Sequence, residues 1–543
     1  MIGGQGRKGF LFFCGAAGLF LSACGPARTA VTPPPEIQVS ANGLICRIDT
    51  GQVLGQVPPT LFGSNVEWFN DGNGLMRGGA LDAGLTKAAA LEGISLVRFP
   101  GGTLSDYYHW EDGIGPVDKR PARPHHTDPG SSPNDFGTPE LARFCREIGA
   151  SPLITVNAGS GTADEAAGWV AYCNGADNPQ RSADGFAAPL GVKFWEVGNE
   201  LYYPGNPGDV NVSVPPDVYA ARFLAFSKKM RAVDPSISIL AIGTAPSTAL
   251  PSPNENWTEE VLKRAAPEID YIAVHNAYFP VIFGESGLST ERVYRTLWAS
   301  PEVVDQSLGS LEKLIARYQQ NREIGIAITE WGALFSFDPE WIDHVKTLGT
   351  AVYVDRLIQV FLKHPKVKIA NYFKFTDDSF MGWVSADGVP KAPYYVIDLF
   401  TRHFGARLVA VEMESPTFDT RALQIIPAQK NVPEVTAVAA LDDPGRTLFV
   451  NLVNRSWDTA YPVRVQLAAG TLPDHAVTWS ISAPSVTDNN GLDMSSGFPF
   501  PWKEPAVTAG FKGPIQIQRG KCDPRHPLVI PPHSIITLEI PVS

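Results

Sequence analysis

The sequence predicts an α/β fold, namely a (β/α)8 TIM barrel followed by a C-terminal antiparallel β-sandwich domain. Between about residues 59 and 405, short apolar runs alternate with amphipathic stretches, which is typical of a parallel sheet covered by helices. After about residue 405 the helical period disappears, and β-rich segments separated by turn residues follow. The 543 residues suffice for one large and one smaller domain, and a doubly wound sheet is the alternative for the large one.

The barrel prediction depends on a count of eight strands, each followed by a helical pattern or a long loop. The first helix has the weakest pattern, because Leu81–Leu91 is the only candidate. The helix starting at Pro139 has the clearest start, with Thr138 as the expected N-cap and proline in the first helical position. The predicted strands are Thr60–Glu67, Leu96–Phe99, Pro152–Asn157, Val192–Val197, Ser238–Ile242, Tyr271–His275, Gly325–Thr329 and Lys368–Phe375, and the helical patterns include Pro139–Ile148, Asp164–Tyr172, Pro216–Val233, Thr258–Ala266, Ser307–Gln319 and Thr347–Leu362.

The barrel is assigned to residues 59–405 and the sandwich to residues 406–543. Residues 42–58 also have a strand pattern, and we expect them to join the sandwich rather than the barrel. The predicted sandwich strands are Arg407–Met413, Thr436–Ala440, Thr447–Leu452, Arg464–Gln466, Val477–Ser482 and Ile535–Ile540.

Residues 1–24 are predicted to be a lipoprotein signal peptide. Arg7 and Lys8 precede an apolar stretch over residues 9–21 that is too short to cross a bilayer. The stretch ends in Leu21-Ser22-Ala23-Cys24, which resembles the bacterial lipobox, where the cysteine receives the lipid. Ordinary secretory cleavage near Ala23 is the alternative.

Residues 25–41 then follow as a proline-rich tether between anchor and domain. Gly25, rather than aspartate, follows the lipidated cysteine, which resembles the signal for sorting to an outer membrane. We therefore expect an exported protein that is lipid-anchored to the bacterial cell envelope, at the periplasmic or surface face of the outer membrane. The anchor is the only membrane contact that the sequence predicts.

The charge and the cysteine pattern exclude some functions. With 44 Lys and Arg against 56 Asp and Glu, the net charge is −12 and no basic run is present, which argues against nucleic-acid binding. No CxxC or HExxH motif occurs, so we predict neither a metal site nor a cofactor. An exported chain can form disulfides, and we expect Cys46 to pair with Cys522, and Cys145 with Cys173.

Two glutamates stand where a barrel places catalytic groups. The fourth strand runs into Val197-Gly198-Asn199-Glu200, and the seventh ends in Thr329-Glu330. In a (β/α)8 barrel, polar residues at the carboxyl ends of the strands point into the active site. Glycoside hydrolysis needs two carboxylates, one to protonate the leaving oxygen and one at the anomeric carbon. Either glutamate alone is more often a helix-terminal or ion-pair residue, but the combination predicts catalysis.

These motifs resemble clan A of the retaining glycoside hydrolases, which pairs Asn-Glu on strand four with Glu on strand seven. Within the clan, the segment from Arg98 to Gly102, then Asp106-Tyr107 and the run from Trp110 to Pro116, resembles the family 51 α-L-arabinofuranosidases. Gly63 to Glu67 resembles that family's first strand, whose glutamate contacts the arabinose hydroxyls. The resemblance covers residues 59–405, and the family's C-terminal β-sandwich corresponds to the rest.

Three motifs depart from the usual family 51 pattern. Thr103 follows the paired glycines where that family commonly has asparagine. His275-Asn276-Ala277-Tyr278 replaces the common His-x-Tyr on strand six. Thr329-Glu330-Trp331 replaces the frequent Asp-Glu-Trp on strand seven and is closer to the family 39 β-xylosidases.

The resemblance and the chemistry together imply roles for the site residues. Glu200 is the expected general acid/base, and Glu330 the expected nucleophile, which must stay ionised. Arg98 is expected to hold Glu330 ionised by its charge, with a barrel-mouth salt bridge as the alternative. Asn199 is expected to bond the sugar 2-hydroxyl, with a turn role as the alternative. Glu67 is expected to bind the sugar, with a structural ion pair as the alternative.

Further residues around the predicted pocket have open roles. Tyr278 is expected to hydrogen-bond the nucleophile, and His275 to line the pocket unless it is a structural histidine. Trp331 is expected to stack on a sugar face, as Trp383 and Trp110 also can, although tryptophans near a barrel mouth are as often packing residues. Lys374 on strand eight is a further candidate for the pocket.

The predicted function is that of a retaining exo-glycosidase, specifically an α-L-arabinofuranosidase that releases terminal arabinofuranose from plant poly- or oligosaccharides without a cofactor. Two alternatives remain: a clan A glycosidase of the β-xylosidase type, and a non-catalytic carbohydrate-binding surface lipoprotein. The presence of both Glu200 and Glu330 argues against the second, because a binding protein does not need two carboxylates so placed.

Overall fold

A computed structural model describes most of the chain from residue 38 onward. The predicted signal peptide, its Cys24 and residues 25–37 of the predicted tether lie outside the described residues. The described ranges are 38–39, 43–125, 128–203, 212–245, 256–275, 277–282, 287–319, 322–336, 341–377, 381–490 and 515–542.

Eight parallel strands form a closed barrel, so the predicted fold class is confirmed. Each strand pairs with the next along the chain, and the first strand pairs with the eighth, which closes the ring. The structure thereby excludes the open, doubly wound alternative. In chain order the strands are β1 (Gly63–Asn65), β2 (Leu96–Phe99), β3 (Ser151–Val156), β4 (Phe194–Val197), β5 (Ser238–Ile242), β6 (Tyr271–Ala273), β7 (Gly325–Ser336) and β8 (Val367–Tyr372).

One helix follows each barrel strand and covers the outside of the barrel. The first begins after Asp82, whose carboxylate accepts a hydrogen bond from the Leu85 N–H at 2.8 Å, and it ends at Gly93 in the left-handed conformation, φ 78°. Within the described residues, none of the helices combines the length and apolar character needed to cross a membrane. The eight helices are Ala83–Glu92, Thr138–Ile148, Ala163–Asn174, Pro216–Val233, Trp257–Ala265, Thr290–Tyr318, Leu348–Lys363 and Ala392–Arg402.

The N-cap predicted for the second of these helices is wrong. Thr138 is already helical, and Gly137 is the cap, with its N–H bonded to the Glu140 carboxylate at 2.9 Å. The Thr138 hydroxyl instead accepts a hydrogen bond from the indole N–H of Trp169 at 3.0 Å. The helix therefore starts one residue earlier than its threonine suggested, because the acid in its first turn satisfies the free amide.

A second sheet of ten strands is formed by both ends of the described chain. Leu44–Gln56 pairs antiparallel with Arg407–Met413 and parallel with Thr459–Leu467. The sheet is therefore antiparallel except where Thr459–Leu467 pairs parallel with Leu44–Gln56 and with Gln38–Val39. A parallel pair needs a long crossover, and here the whole barrel lies between the two strands in sequence. The ten strands are Gln38–Val39, Leu44–Gln56, Arg407–Met413, Val435–Leu441, Thr447–Asn454, Thr459–Leu467, Ala476–Ile481, Gln518–Cys522, Leu528–Ile530 and Ser534–Pro541.

Short elements complete the fold. Ala277–Ile282 adds a strand to the second half of β7 outside the closed ring. The short strands are Met76–Arg77 with Ala80–Leu81, Arg123–His125 with Asp128–Ser132, Thr376–Asp377 with Val384–Ser385, and Thr417–Phe418 with Val432–Pro433; the short helices are Pro59–Leu61, Asn70–Asn73, Thr103–Tyr107, Trp110–Gly113, Val117–Lys119, Pro179–Ala183, Ala266–Glu268 and Ile342–Lys346.

Both predicted disulfides are wrong, because all four cysteines of the described residues are free thiols. Cys46 and Cys522 lie in one sheet, but five strands separate theirs in the sheet order. Cys145 and Cys173 lie on different helices and are buried in the apolar core of the barrel. Cysteine is small and apolar enough to serve as a core residue, and burial raises the pKa of the Cys46 thiol to about 12.

A buried polar network joins the barrel to the second sheet. Asp355, on the helix Leu348–Lys363, accepts hydrogen bonds from Asn451 at 2.9 Å and from Gln359 at 3.1 Å. Gln359 in turn bonds Asn451 at 2.7 Å and accepts from Thr436 at 2.7 Å. Burial raises the pKa of Asp355 to about 7, although its hydrogen bonds act in the opposite direction.

Asp355 should make stability decrease as the pH rises towards 7. An unfolded aspartate loses its proton near pH 4, but the folded Asp355 keeps it to about pH 7, so folding loses up to about 1.4 kcal/mol per pH unit in between. Asp355→Asn should therefore have a shallower slope of Tm against pH between pH 5 and 7 than the parent, and the exposed-site control Glu412→Gln should keep the parent slope. An unchanged slope in Asp355→Asn would contradict this assignment.

Candidate active site

The pleat of the strands places a polar layer above an apolar one inside the barrel. The lower layer contains Leu96, Leu153, Leu240, Ala273, Ala327 and Ile369, all buried in one cluster. Side chains two residues apart on a strand share a face, so the residues that follow by two positions lie on the same face, nearer the carboxyl ends. On four strands those residues are Arg98, Thr155, Thr329 and Asn371, and on β4 Glu196 likewise follows Phe194, which packs against the lower layer. All five polar residues are buried.

The guanidinium of Arg98 is the centre of this polar layer. It has no exposed surface, and it donates to Glu196 at 2.7 Å, to Glu330 at 2.7 Å, to Asn65 at 3.0 Å and to Asn199 at 2.7 Å. Burial alone would lower the pKa of Arg98, but the Glu196 and Glu330 carboxylates outweigh it and raise the pKa. Arg98 therefore forms a buried ion pair with Glu330, and its role in keeping Glu330 ionised or in contacting a substrate stays a prediction.

The glycine pair after β2 leaves room for two carboxylates. A Cβ atom on Gly102 would lie 2.8 Å from Oε1 of Glu330, and one on Gly101 would lie 2.9 Å from Cγ of Glu67. Gly101 also has φ +131°, a conformation that residues with a side chain rarely adopt. The two glycines thus allow the backbone to pass between Glu67 and Glu330.

Glu200 lies in a sharp turn at the end of β4. Its φ is +42°, and Gly198 before it has φ +79°. A left-handed conformation costs a residue with a side chain about 1–2 kcal/mol, so the surroundings must impose it. The side chain is 28% exposed, against 9% for Glu330. Glu200 is therefore the more accessible of the two candidate catalytic carboxylates.

Asp106 holds this turn, and the sequence analysis assigned it no role. Its buried carboxylate accepts backbone hydrogen bonds from Asn199 at 2.8 Å, from Ala158 at 3.1 Å and from Gly159 at 3.0 Å. Burial raises the pKa of Asp106 to about 7, against the lowering effect of these bonds. A lone aspartate after a glycine pair carries no sequence signal for such a role, because its partners are backbone groups of two distant loops.

His275 connects the two candidate catalytic carboxylates. Its Nδ1 lies 2.7 Å from Glu200 Oε1 and 4.0 Å from Glu330 Oε2, and its Nε2 lies 3.0 Å from the Thr329 hydroxyl. Burial lowers the pKa of His275, but the two carboxylates outweigh it, so the pKa is raised. These distances to one nitrogen bring the two carboxylates into one site, as the two-carboxylate chemistry of glycoside hydrolysis requires.

Glu67 has a cationic partner from the segment that follows β8. The ammonium group of Lys374, just after β8, forms an ion pair with Oε2 of Glu67, and both side chains are buried. Asn73 donates to the same oxygen at 3.2 Å and accepts from the Glu67 N–H at 2.8 Å. The ion pair considered as the alternative for Glu67 therefore exists, and its sugar contact stays a prediction.

The tryptophans of the predicted site are packing residues. Trp331 has no exposed surface and packs edge-on against Trp383, at 5.2 Å between ring centroids, and against Phe361, at 5.6 Å. Trp383 is also fully buried, and Trp110 stacks on Trp169. Sugar stacking by Trp331 is therefore corrected to a packing role, since a ring needs an exposed face to stack on a ligand.

Tyr278 lies in the strand Ala277–Ile282, which pairs with the second half of β7. Its side chain is outside the described part of the structure, so its predicted hydrogen bond to the nucleophile stays a prediction. The structure brings together Glu67, Arg98, Asn199, Glu200, His275 and Glu330 from the predicted set.

Comparisons with a family model and with curated proteins all point to similarity with α-L-arabinofuranosidases. A family model for the α-L-arabinofuranosidase 1 domain matches residues 89–276. An intracellular exo-α-L-arabinofuranosidase of Bacteroides ovatus is 26% identical over 82% of this chain and 84% of its own. An α-L-arabinofuranosidase C of Emericella nidulans is 34% identical over 34% of this chain and 37% of its own. This protein is a glycoside hydrolase that is similar to the family 51 α-L-arabinofuranosidases.

Solved structures of α-L-arabinofuranosidases have a similar fold. The α-L-arabinofuranosidase of Thermotoga maritima superposes with a TM-score of 0.76, covering 92% of this chain and all of that one at 24% identity. A family 51 enzyme of Bifidobacterium longum has a TM-score of 0.75 at 22% identity, covering 94% of this chain and all of that one. The departures at Thr103 and Thr329 thus occur in a chain whose overall fold is similar to that of these enzymes.

Substituting Gly102 tests the close approach to Glu330. Because Glu330 is held by Arg98, the Cβ of Gly102→Ala must displace it, and a misplacement of about 1 Å can cost about 100-fold in rate. We expect a loss of about that size in kcat with little change in Tm. Gly55→Ala is the matched control, because nothing lies within 4 Å of its added Cβ. Full activity of Gly102→Ala would contradict the packing described here.

Proposed function

We propose that this family 51-like hydrolase is a retaining exo-acting α-L-arabinofuranosidase in which Glu330 is the nucleophile and Glu200 the acid/base. The observation that carries the proposal is the arrangement of the two glutamates, from β4 and β7, around one nitrogen of His275. The environments of the two glutamates differ as an ionised nucleophile and a proton-donating acid require. Glu330 is nearly buried against the Arg98 cation, whereas Glu200 is more exposed and bonded to a histidine that can share its proton.

The reaction follows from these positions. Glu330 attacks the anomeric carbon while Glu200 protonates the departing glycosidic oxygen, so the C–O bond breaks and an ester to Glu330 forms. Water then attacks the same carbon, Glu200 takes its proton, and the Glu330 carboxylate leaves. Arg98 supports both steps by holding the nucleophile in its ionised form. Two displacements on one carbon give overall retention.

The amide of Asn199 supports the predicted contact with the sugar 2-hydroxyl. Its oxygen accepts from Arg98, and its nitrogen has no hydrogen-bond partner among the described residues, although it is buried. A buried donor without a partner costs about 1–3 kcal/mol, and a sugar hydroxyl next to the anomeric carbon would satisfy it. Asn199 would thus bond the sugar where the transition-state charge develops.

The cellular location is a separate part of the proposal and rests on sequence alone. The segment over residues 7–24 has the charge, the apolar stretch and the lipobox of a lipoprotein signal. The enzyme would then act at the cell envelope on arabinofuranose side chains of plant poly- or oligosaccharides outside the cytoplasm. Metabolic labelling with an alkyne fatty acid, compared between the parent and Cys24→Ala, tests it, and equal labelling of both would exclude lipidation at Cys24.

A panel of 4-nitrophenyl glycosides tests the sugar preference. We expect kcat/KM for the α-L-arabinofuranoside to exceed that for the β-D-xyloside by at least about 100-fold, which is about 2.7 kcal/mol of transition-state discrimination. The resemblance of Thr329-Glu330-Trp331 to β-xylosidases makes the xyloside the informative competitor. The reverse ratio would make the protein a β-xylosidase, and binding without hydrolysis of any substrate would make it a carbohydrate-binding protein.

Azide rescue distinguishes the roles of the two glutamates. Glu200→Ala should keep activity on activated aryl substrates better than on poor leaving groups, and azide should then give a glycosyl azide of retained configuration. Glu330→Ala should lose activity on every substrate, and any azide product should be inverted. The opposite stereochemistry would exchange the roles, and a loss below about tenfold in both variants, roughly 1.4 kcal/mol, would contradict the glycosidase assignment.

A further inference from the structure

A chain of buried hydrogen bonds leads from Glu196 to the candidate acid/base. The Glu196 carboxylate has no exposed surface and accepts from Thr329 at 2.7 Å, from Thr155 at 2.7 Å and from Arg98 at 2.7 Å. An ionised carboxylate is an acceptor only, so each of these three groups must donate to it. The hydroxyl hydrogen of Thr329 is therefore donated to Glu196.

The direction of the Thr329–Glu196 hydrogen bond determines which nitrogen of His275 carries a hydrogen. The Thr329 oxygen, having donated its only hydrogen, faces His275 Nε2 at 3.0 Å and must accept from it. Nε2 is then protonated whether the ring is neutral or cationic. The hydrogen of the ring whose position stays variable is then the one between His275 Nδ1 and Glu200 Oε1, which are 2.7 Å apart.

We propose that Glu196 and Thr329 are positioning residues that act through His275 to keep a transferable proton on Glu200. With Nε2 protonated, the shared hydrogen belongs either to a Glu200 carboxylic acid facing a neutral ring or to an imidazolium facing the Glu200 carboxylate. One proton transfer interconverts the two forms, and both can deliver that proton to the glycosidic oxygen. The inference rests on the proposed function, because it assigns Glu200 as the acid.

The importance of this hydrogen-bond chain is clear from the protonation state of His275 that it excludes. A neutral His275 with its hydrogen on Nδ1 would donate to Glu200 and hold it ionised. That hydrogen could not pass to Glu200 without leaving an imidazolate, so the leaving group would receive no proton. Threonine at position 329 cannot supply a negative charge itself, in contrast to the aspartate common at this position in the family. The charge comes instead from Glu196 on β4, one hydrogen bond further away.

Several groups surround the pair and set the charge that it experiences. The pKa of His275 is raised, with burial opposing the effect and the Glu330 and Glu200 carboxylates producing it, which is consistent with a ring that can hold the second hydrogen. Among the described residues, the titratable or charged groups facing the pair are Glu330 on β7, Arg98 on β2, Glu196 on β4, Tyr202 and Tyr203 after β4, and Asp106 through the backbone of Asn199.

Thr329→Val tests the chain, with Thr155→Val as the matched control. Both variants remove one 2.7 Å hydrogen bond to Glu196, but only Thr329 contacts His275. In Thr329→Val we expect kcat/KM to fall about 10–100-fold for aryl arabinofuranosides with poor leaving groups and less than about threefold for dinitrophenyl ones, since acid catalysis contributes about 10²–10⁴. The basic limb of the pH profile should also move to lower pH.

The remaining outcomes separate positioning from structure. Thr329→Ser should restore the parent leaving-group dependence and pH profile, because it keeps the hydroxyl. Two results would overturn the proposal: equal losses on all substrates, or the same leaving-group dependence in Thr155→Val. Either result would mean that Glu196 and Thr329 only balance the charge of Arg98.

An observation independent of activity completes the test. The ring ¹⁵N shifts of His275, assigned by comparison with His275→Ala, should report a protonated Nε2 across the titration in the parent and a mixture of tautomers in Thr329→Val. A neutral ring protonated on Nδ1 in the parent would overturn the proposal even in an active enzyme. If the parent spectra show a protonated Nε2 but the parent hydrolyses no glycoside, the proposed function is contradicted. The hydrogen-bond chain from Glu196 to His275 would still stand in that case.

Discussion

The active-site architecture depends on the burial of one cation, Arg98. Arg98 lies on β2, and its guanidinium donates hydrogen bonds to groups from β1, β4 and β7. Four strands therefore share one set of charge-assisted hydrogen bonds. Without it, Glu196 and Glu330 would be two negative charges in a low-dielectric interior, which costs several kcal/mol per ion. The cation thus favours the ionised form of the candidate nucleophile Glu330, whose side chain is nearly buried.

The candidate acid/base depends on a different kind of support. Glu200 lies in a strained turn rather than on a strand, and the backbone there is held by Asp106 from the loop after β2. A strand places the candidate nucleophile Glu330, and a loop held by a buried carboxylate places the candidate acid Glu200. This division suits their tasks, because the nucleophile must meet one carbon, whereas the acid must exchange a proton with leaving group and water.

Much of this could be predicted from the sequence, and particular residues show where prediction ended. The eight strands, the two glutamates and the pairing of Arg98 with Glu330 followed from apolar runs and motifs. The partners of Asp106, Glu196 and Lys374 did not, because each contact joins segments far apart in the chain. The disulfide prediction failed for a similar reason, since an even cysteine count says nothing about the distance between strands.

The sequence by itself determined the alternation of strands and helices and the residues that stand at the strand ends, because periodicity and turn chemistry are local properties. Barrel closure then decided which of those residues meet. Only the tertiary structure placed Trp331 in the core rather than against a sugar, and it also directed the Thr329 hydroxyl to Glu196. The physical reason is that burial and hydrogen-bond direction depend on neighbours that the chain brings together only when the ring closes.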